Sequence, residues 1–299
     1  MSIQHLTANL SLPTGEVLRL AYLDSPPIGD NFKGTILLIH GFPQTSYQYR
    51  HVLPLLSAQG YRCIAPDYRG AGHSSQPESD YRKTTMAKDI IALLDHLNIV
   101  EKIHLIGHDI GGKIAFALAT RHAERFRSVV WGENVLPGTE AYVKSRTVPE
   151  QTVLFFHFIF HCVSPLAETL VEGKEKLYIE HFFHKLSHNL SAFSDDVVEH
   201  YAKAYSQPGA MRAAMAVYKA FEEDHKENIE WIKKEGKCNV PSFVLTGEKS
   251  WVGDAVKMGR EVTVEEVMEV GVVKGAGHYV AEENPEGFVD VVVEFIGRH

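Results

Sequence analysis

Cysteine is scarce in this chain. Cys63, Cys162 and Cys238 are its three cysteines, and no CxxC spacing links any of them. A disulfide framework uses more cysteines at closer spacing, so reduced thiols are expected. No block of Lys or Arg stands out, and the formal net charge is −8. Nucleic acid and anionic membranes are therefore poor partners. No apolar run approaches the ~18 residues that mark a membrane-spanning helix. The first 17 residues lack a basic stretch followed by an apolar one, so no secretory signal is read there. A cytoplasmic location is the expectation. Internal repeats and low-complexity segments are missing too.

What is present suits a large core. The hydrophobic fraction is 44% over 299 residues, enough for one large α/β domain or a core with an inserted lid. Residues 6–23 read as two strands around Leu12-Pro13-Thr14-Gly15. Short apolar strands follow at 35–39, 61–66, 102–106 and 126–131, then at 242–247 and 268–274. Helical spacing falls between them, over 46–58, 84–97 and the stretch after 110, and again over 285–296. Strands alternating with helices imply an α/β fold with a mostly parallel, doubly wound sheet. Residues 138–237 break the alternation with helical spacing rich in aromatics, His, Ala and Glu. The expected organisation is a core of 1–137 and 238–299 with a helical cap of 138–237.

The stretch Gly107-His108-Asp109-Ile110-Gly111 ends one apolar strand and opens a helix. Glycines flank the turn because side chains there would clash. Its tip projects at the carboxyl end of a strand and the N-terminus of a helix, where open α/β sheets place ligands. The tip residue is Asp109. A carboxylate suits displacement at saturated carbon, giving an alkyl-enzyme ester that water then hydrolyses. A plain helix-capping Asp has no need of the flanking glycines.

Four motifs stand in order: His40-Gly41-Phe42-Pro43, the Asp109 turn, an acid after a later strand, and Gly277-His278. Together they resemble the α/β-hydrolase family, whose nucleophile–acid–histidine order they follow. The resemblance spans the chain and implies Asp109 as nucleophile and His278 as general base. It also implies an oxyanion hole from the backbone N–H groups of Phe42 and Ile110. Many relatives carry the acid at the position held here by Ser250. Glu133, in Trp131-Gly132-Glu133, is the expected carboxylate partner of His278, with Glu248 and Asp254 as alternates.

The cap narrows the leaving group. Phe155-Phe156-His157-Phe158-Ile159-Phe160 and Val217-Tyr218-Lys219-Ala220 resemble a subgroup of epoxide hydrolases that includes bacterial virulence factors and fungal enzymes. That resemblance implies His157 and Tyr218 as the pair that hydrogen-bonds the oxirane oxygen, with Tyr178 as a fallback, and it also points to Glu133. Haloacid and haloalkane dehalogenases share the fold and the Asp, and are the main alternative. The haloacid enzymes carry Arg where this chain has Ile110 and Lys113, and a Trp where it has Phe158. A non-catalytic receptor on the same fold is the other alternative. The expected partners are a neutral, fairly hydrophobic epoxide and water, with no metal or organic cofactor; His181 and His184 lack a third ligand at metal spacing. The aromatic cap leaves room for a homodimer.

Overall fold

The computed structural model describes residues 3–12, 15–78, 80–252 and 255–299. Eight strands form one sheet. They are β1 (Gln4–Ser11), β2 (Val17–Ser25), β3 (Gly34–Ile39), β4 (Tyr61–Pro66), β5 (Ile103–His108), β6 (Phe126–Gly132), β7 (Ser242–Gly247) and β8 (Met268–Val273). Their order across the sheet is β1-β2-β4-β3-β5-β6-β7-β8. The first two pairings, β1 with β2 and β2 with β4, are antiparallel, and all later ones are parallel.

Successive side chains of a strand face opposite ways, and both faces of this sheet are covered. Leu37 and Ile39 of β3 enter one core with helices α2 (Lys83–His96) and α3 (Ile110–Arg121). Ile36 and Leu38 enter the other, with α1 (Val52–Ala58) and the C-terminal helix Pro285–Ile296. This two-sided burial explains why the central strands read as unbroken apolar runs.

One helix differs from its expected span. The stretch 46–58 divides into a 3-10 turn, Ser46–Tyr49, and α1. Pro54 explains the break. A helix running on from Ser46 would press its ring against the Arg50 carbonyl, whereas in the first turn of α1 its missing N–H costs nothing.

Between β6 and β7 the described chain forms eight α-helices, a short 3-10 turn (Leu190–Ala192) and no strand. The α-helices are α4 (Glu140–Thr147), α5 (Pro149–Leu154), α6 (His157–Phe160), α7 (Leu166–Val171), α8 (Glu175–Leu186), α9 (Asp195–Tyr205), α10 (Ala210–Lys219) and α11 (Phe221–Glu235). Phe183 of α8 stacks on Phe193 at 4.2 Å, and its ring meets Tyr279 of the core at 5.1 Å. After β7 come α12 (Ala255–Val262), α13 (Val280–Glu283) and α14 (Pro285–Ile296). Cys63 and Cys238 are buried and Cys162 is exposed; all three are free thiols.

Candidate active site

Five neighbouring strands, β3, β5, β6, β7 and β8, deliver their carboxyl ends to one place. Asp109 follows β5 with φ 49° and ψ −111°, a backbone that only surrounding constraint holds in a non-glycine residue. The constraint is close packing. A Cβ on Gly107 would lie 2.3 Å from the Gly111 carbonyl oxygen, and one on Gly111 would lie 2.0 Å from that of Ile39. The glycines let strand and helix close on each other and push Asp109 outward. Glu133, after β6, likewise has a positive φ of 50°.

The expected acid and base meet. His278 Nδ1 is 3.0 Å from Glu133 Oε2. An ionised carboxylate only accepts, so Nδ1 carries the proton and Nε2 is the basic nitrogen. Glu133 takes two more bonds: Gly247 N–H at 2.7 Å to Oε1 and the Ser250 hydroxyl at 2.7 Å to Oε2. Burial disfavours the His278 imidazolium. The bond and charge of Glu133, then the charge of Asp109, outweigh that and hold its pKa above the ordinary histidine value.

Of the alternate acids, Glu248 turns away. It accepts from Gly275 N–H at 3.2 Å and faces Lys249 at 3.8 Å. Asp254 lies outside the described residues.

Asp109 is 9% exposed. Its Oδ2 accepts the Phe42 N–H at 3.0 Å. Ile110 begins α3, where the first N–H groups have no partner within the helix. Burial would raise the Asp109 pKa, but Lys113, then His278 and His108, outweigh it and hold the carboxyl below its usual value.

Helices of the segment between β6 and β7 cover these groups. His157 of α6 and Tyr218 of α10 pack edge to face, ring centroids 5.4 Å apart. Both line one cavity with Asp109, Glu133, His278 and Phe42. Leu154, Phe155, Phe158, Phe182, Val135 and Trp251 complete much of its wall, and no Lys or Arg is among the described lining residues. The cavity is about 30 Å³, room for a water or so. A wider cleft of about 240 Å³ adjoins it and shares Val135, Leu154, Phe155 and Trp251 as a common wall. A still larger open cleft, about 850 Å³, is lined by Lys102, Phe126 and Pro241 at the opposite, amino ends of the strands, away from this chemistry.

Burial holds the His157 pKa well below its ordinary value, and His161 and Lys185 add to the effect. Its Nδ1 is buried without a hydrogen-bond partner among the described residues. Tyr218 is pushed well above 10, by burial first and the Asp109 charge second. Both therefore stand neutral at pH 7, each with a hydrogen to donate. Tyr178 is committed elsewhere: its hydroxyl lies 2.7 Å from His161 Nε2, and it lines an outer cleft of the cap.

Sequence reasoning missed three contributors. Ser250 appeared only as a departure from an expected acid. The Gly247 N–H carries no sequence signal. In the sequence Lys113 stands out only as a substitute for Arg, although its i,i+4 spacing from Asp109 places the two on one helix face; its Nζ is 3.4 Å from Asp109 Oδ1.

Residues 34–285 match the family described as alpha/beta hydrolase fold. A soluble epoxide hydrolase of Corynebacterium sp. strain C12 is 32% identical over 263 residues, 87% of this chain and 89% of that protein. The crystal structure of wild-type Cfl2 from Burkholderia cenocepacia superposes with a TM-score of 0.89 at 28% identity, covering 99% of this chain and 96% of the other. The epoxide hydrolase CorEH without ligand gives a TM-score of 0.87 at 28% identity, with 99% of each chain covered.

Proposed function

The chain belongs to the α/β-hydrolase fold family, and from that premise we propose that it is an epoxide hydrolase, producing vicinal diols through an ester on Asp109. One observation carries the reading. A carboxylate nucleophile, a histidine with its acid, and two neutral hydrogen-bond donors line a single cavity. Asp109 attacks an oxirane carbon while Tyr218 and His157 donate to the ring oxygen. As the ester forms, the Asp109 charge that raised the Tyr218 pKa disappears. Tyr218 becomes a better acid at the moment an alkoxide needs a proton. His278, oriented by Glu133, then draws a proton from water, which attacks the ester carbonyl. The Phe42 and Ile110 N–H groups receive the oxyanion.

The absence of Lys and Arg from the described lining supports a neutral substrate, since a carboxylate there would lack a partner. Phe158 beside His157 offers no N–H to a leaving halide, which supports the epoxide over the haloacid. The 138–237 segment acts as the cap in this reading. No described helix is long and apolar enough to cross a membrane, and three free cysteines support a reduced, cytoplasmic setting. Leu166, Leu170 and Leu177, exposed on the cap, support a homodimer, and sedimentation velocity reads that state.

Single turnover of styrene oxide in ¹⁸O-water tests the route. The first heavy oxygen should enter Asp109 and be found in its peptide by mass spectrometry. Heavy oxygen confined to the diol would exclude the covalent ester.

A further inference from the structure

Lys113 is a buried cation beside the nucleophile, and the two-step route above gives it no part. It lies one helical turn after Asp109 on α3 and is 1% exposed. The two oxygens of Asp109 have different surroundings. Oδ2 takes the Phe42 amide at 3.0 Å, while Oδ1 faces Lys113 Nζ at 3.4 Å. Oδ2 thus occupies the oxyanion position, and Oδ1 is the oxygen left to attack the substrate.

The neighbouring charges are already matched. Lys83 Nζ bonds Asp224 Oδ2 at 2.8 Å and the Val217 carbonyl at 2.9 Å. Lys83 and Lys113 both lie over the Phe221 ring, at 4.8 and 5.2 Å. Among the described residues, Asp109 is the carboxylate that Lys113 bonds.

Ester formation removes that carboxylate's charge. Lys113 is then buried without the counterion that most favours its charge, while burial already holds its pKa below the ordinary lysine value. Hydrolysis restores the pair. Water forms a bond to Cγ, His278 takes the water proton, and the Cγ–Oδ1 bond breaks. Oδ1 leaves in the diol with the bonding electrons and receives the proton from His278. The oxygen that carries this developing charge is the one Lys113 faces.

We propose that Lys113 is a catalytic residue of the second step, its ammonium stabilising Oδ1 as the diol departs. The proposal rests on the Asp109 ester. It also makes opposite demands on the two steps. In the first step Lys113 holds negative charge on the nucleophile and slows attack. In the second it speeds release.

Rapid-quench single turnovers of styrene oxide, read by intact-protein mass, separate the steps in wild type, Lys113→Met, Lys113→Gln and Lys113→Arg. The neutral variants should form the ester at least as fast as wild type and hydrolyse it at least about tenfold more slowly. kcat and KM then fall together, and ester accumulates. Lys113→Arg should recover most of the hydrolysis rate. Slower ester formation with unchanged hydrolysis overturns the proposal.

Wild type supplies a test that needs no variant to fold. Across para-substituted styrene oxides, hydrolysis of the ester should depend only shallowly on the acidity of the leaving alcohol. A steep dependence overturns the proposal. If neither wild type nor His278→Gln ever carries ester on Asp109, the epoxide hydrolase route itself has failed, an outcome distinct from both.

Discussion

The Ser250 hydroxyl bonds Glu133 Oε2 at 2.7 Å, the same oxygen that faces His278 Nδ1 at 3.0 Å. The serine at the position where the family resemblance implies an acid thus bonds a carboxylate that follows a different strand. Glu133 has no room for another role: it is 1% exposed, and each oxygen has a donor. Glu133→Gln should slow ester hydrolysis by about 100-fold or more, by losing the charge that steadies the imidazolium. Ser250→Ala should cost several-fold, about the loss of one hydrogen bond to a charged group. Glu248→Gln should leave the rate near wild type. Stopped-flow measurement of the second step ranks the three, and a larger loss in Glu248→Gln than in Glu133→Gln would move the acid to the later loop.

The pH dependence has a defined sign. His278 works as a base only when neutral, so hydrolysis should rise with pH through its pKa, which in the free enzyme stands above the ordinary value. The Asp109 charge is one of the causes of that elevation. Once Asp109 is an ester the contribution is gone, and the midpoint should fall. NMR titration of His278 in the free enzyme should therefore give a higher midpoint than the pH profile of ester hydrolysis. The reverse order would contradict the proximity of these charges during turnover.

The cap pair should matter for the first step alone. Tyr218→Phe and His157→Leu each remove one donor with little change in volume, so folding should survive. Each should slow ester formation by roughly 10–100-fold, the worth of a hydrogen bond to a developing oxyanion. The double variant should lose less than the product of the two, because both donors serve one oxygen. Rates of ester hydrolysis in the same variants should stay within a few-fold of wild type.

Trp251 stands in the wall between the small inner cavity and the wider cleft, and it is 62% exposed. Trp251→Ala should lower KM for bulky epoxides and leave small terminal epoxides little changed. A series from propylene oxide to long-chain epoxyalkanes measures this. Equal effects across the series would mean that substrate enters elsewhere.

The elbow was legible in sequence because its constraints are local. Two glycines bracket Asp109, and the contacts that forbid a side chain at Gly107 and Gly111 lie within one strand–turn–helix unit and its neighbour β3. The strands β7 and the helix α14 were legible for a similar reason: short apolar runs and a proline at the helix start mark their bounds. Ser250 and the Gly247 N–H were not, because their value comes from Glu133, 117 and 114 positions away. The division of residues 46–58 turned on one proline inside an otherwise acceptable helical pattern. Lys113 carried a helix-face signal that its family comparison obscured.

Glu283 binds the histidine loop to the cap. Its carboxylate accepts the N–H groups of Gly277 and Tyr279, on either side of His278, at 2.9 Å each. It also accepts those of His188 and Asn189, just beyond α8, at 2.7 Å each. The His278 N–H itself bonds the Leu186 carbonyl at 3.0 Å. One side chain thus makes the base and this corner of the cap a single mechanical body. A motion of this helical segment wide enough to admit substrate must either pivot about this corner or carry the base along, so the pivot belongs at this corner and the opening on the far side.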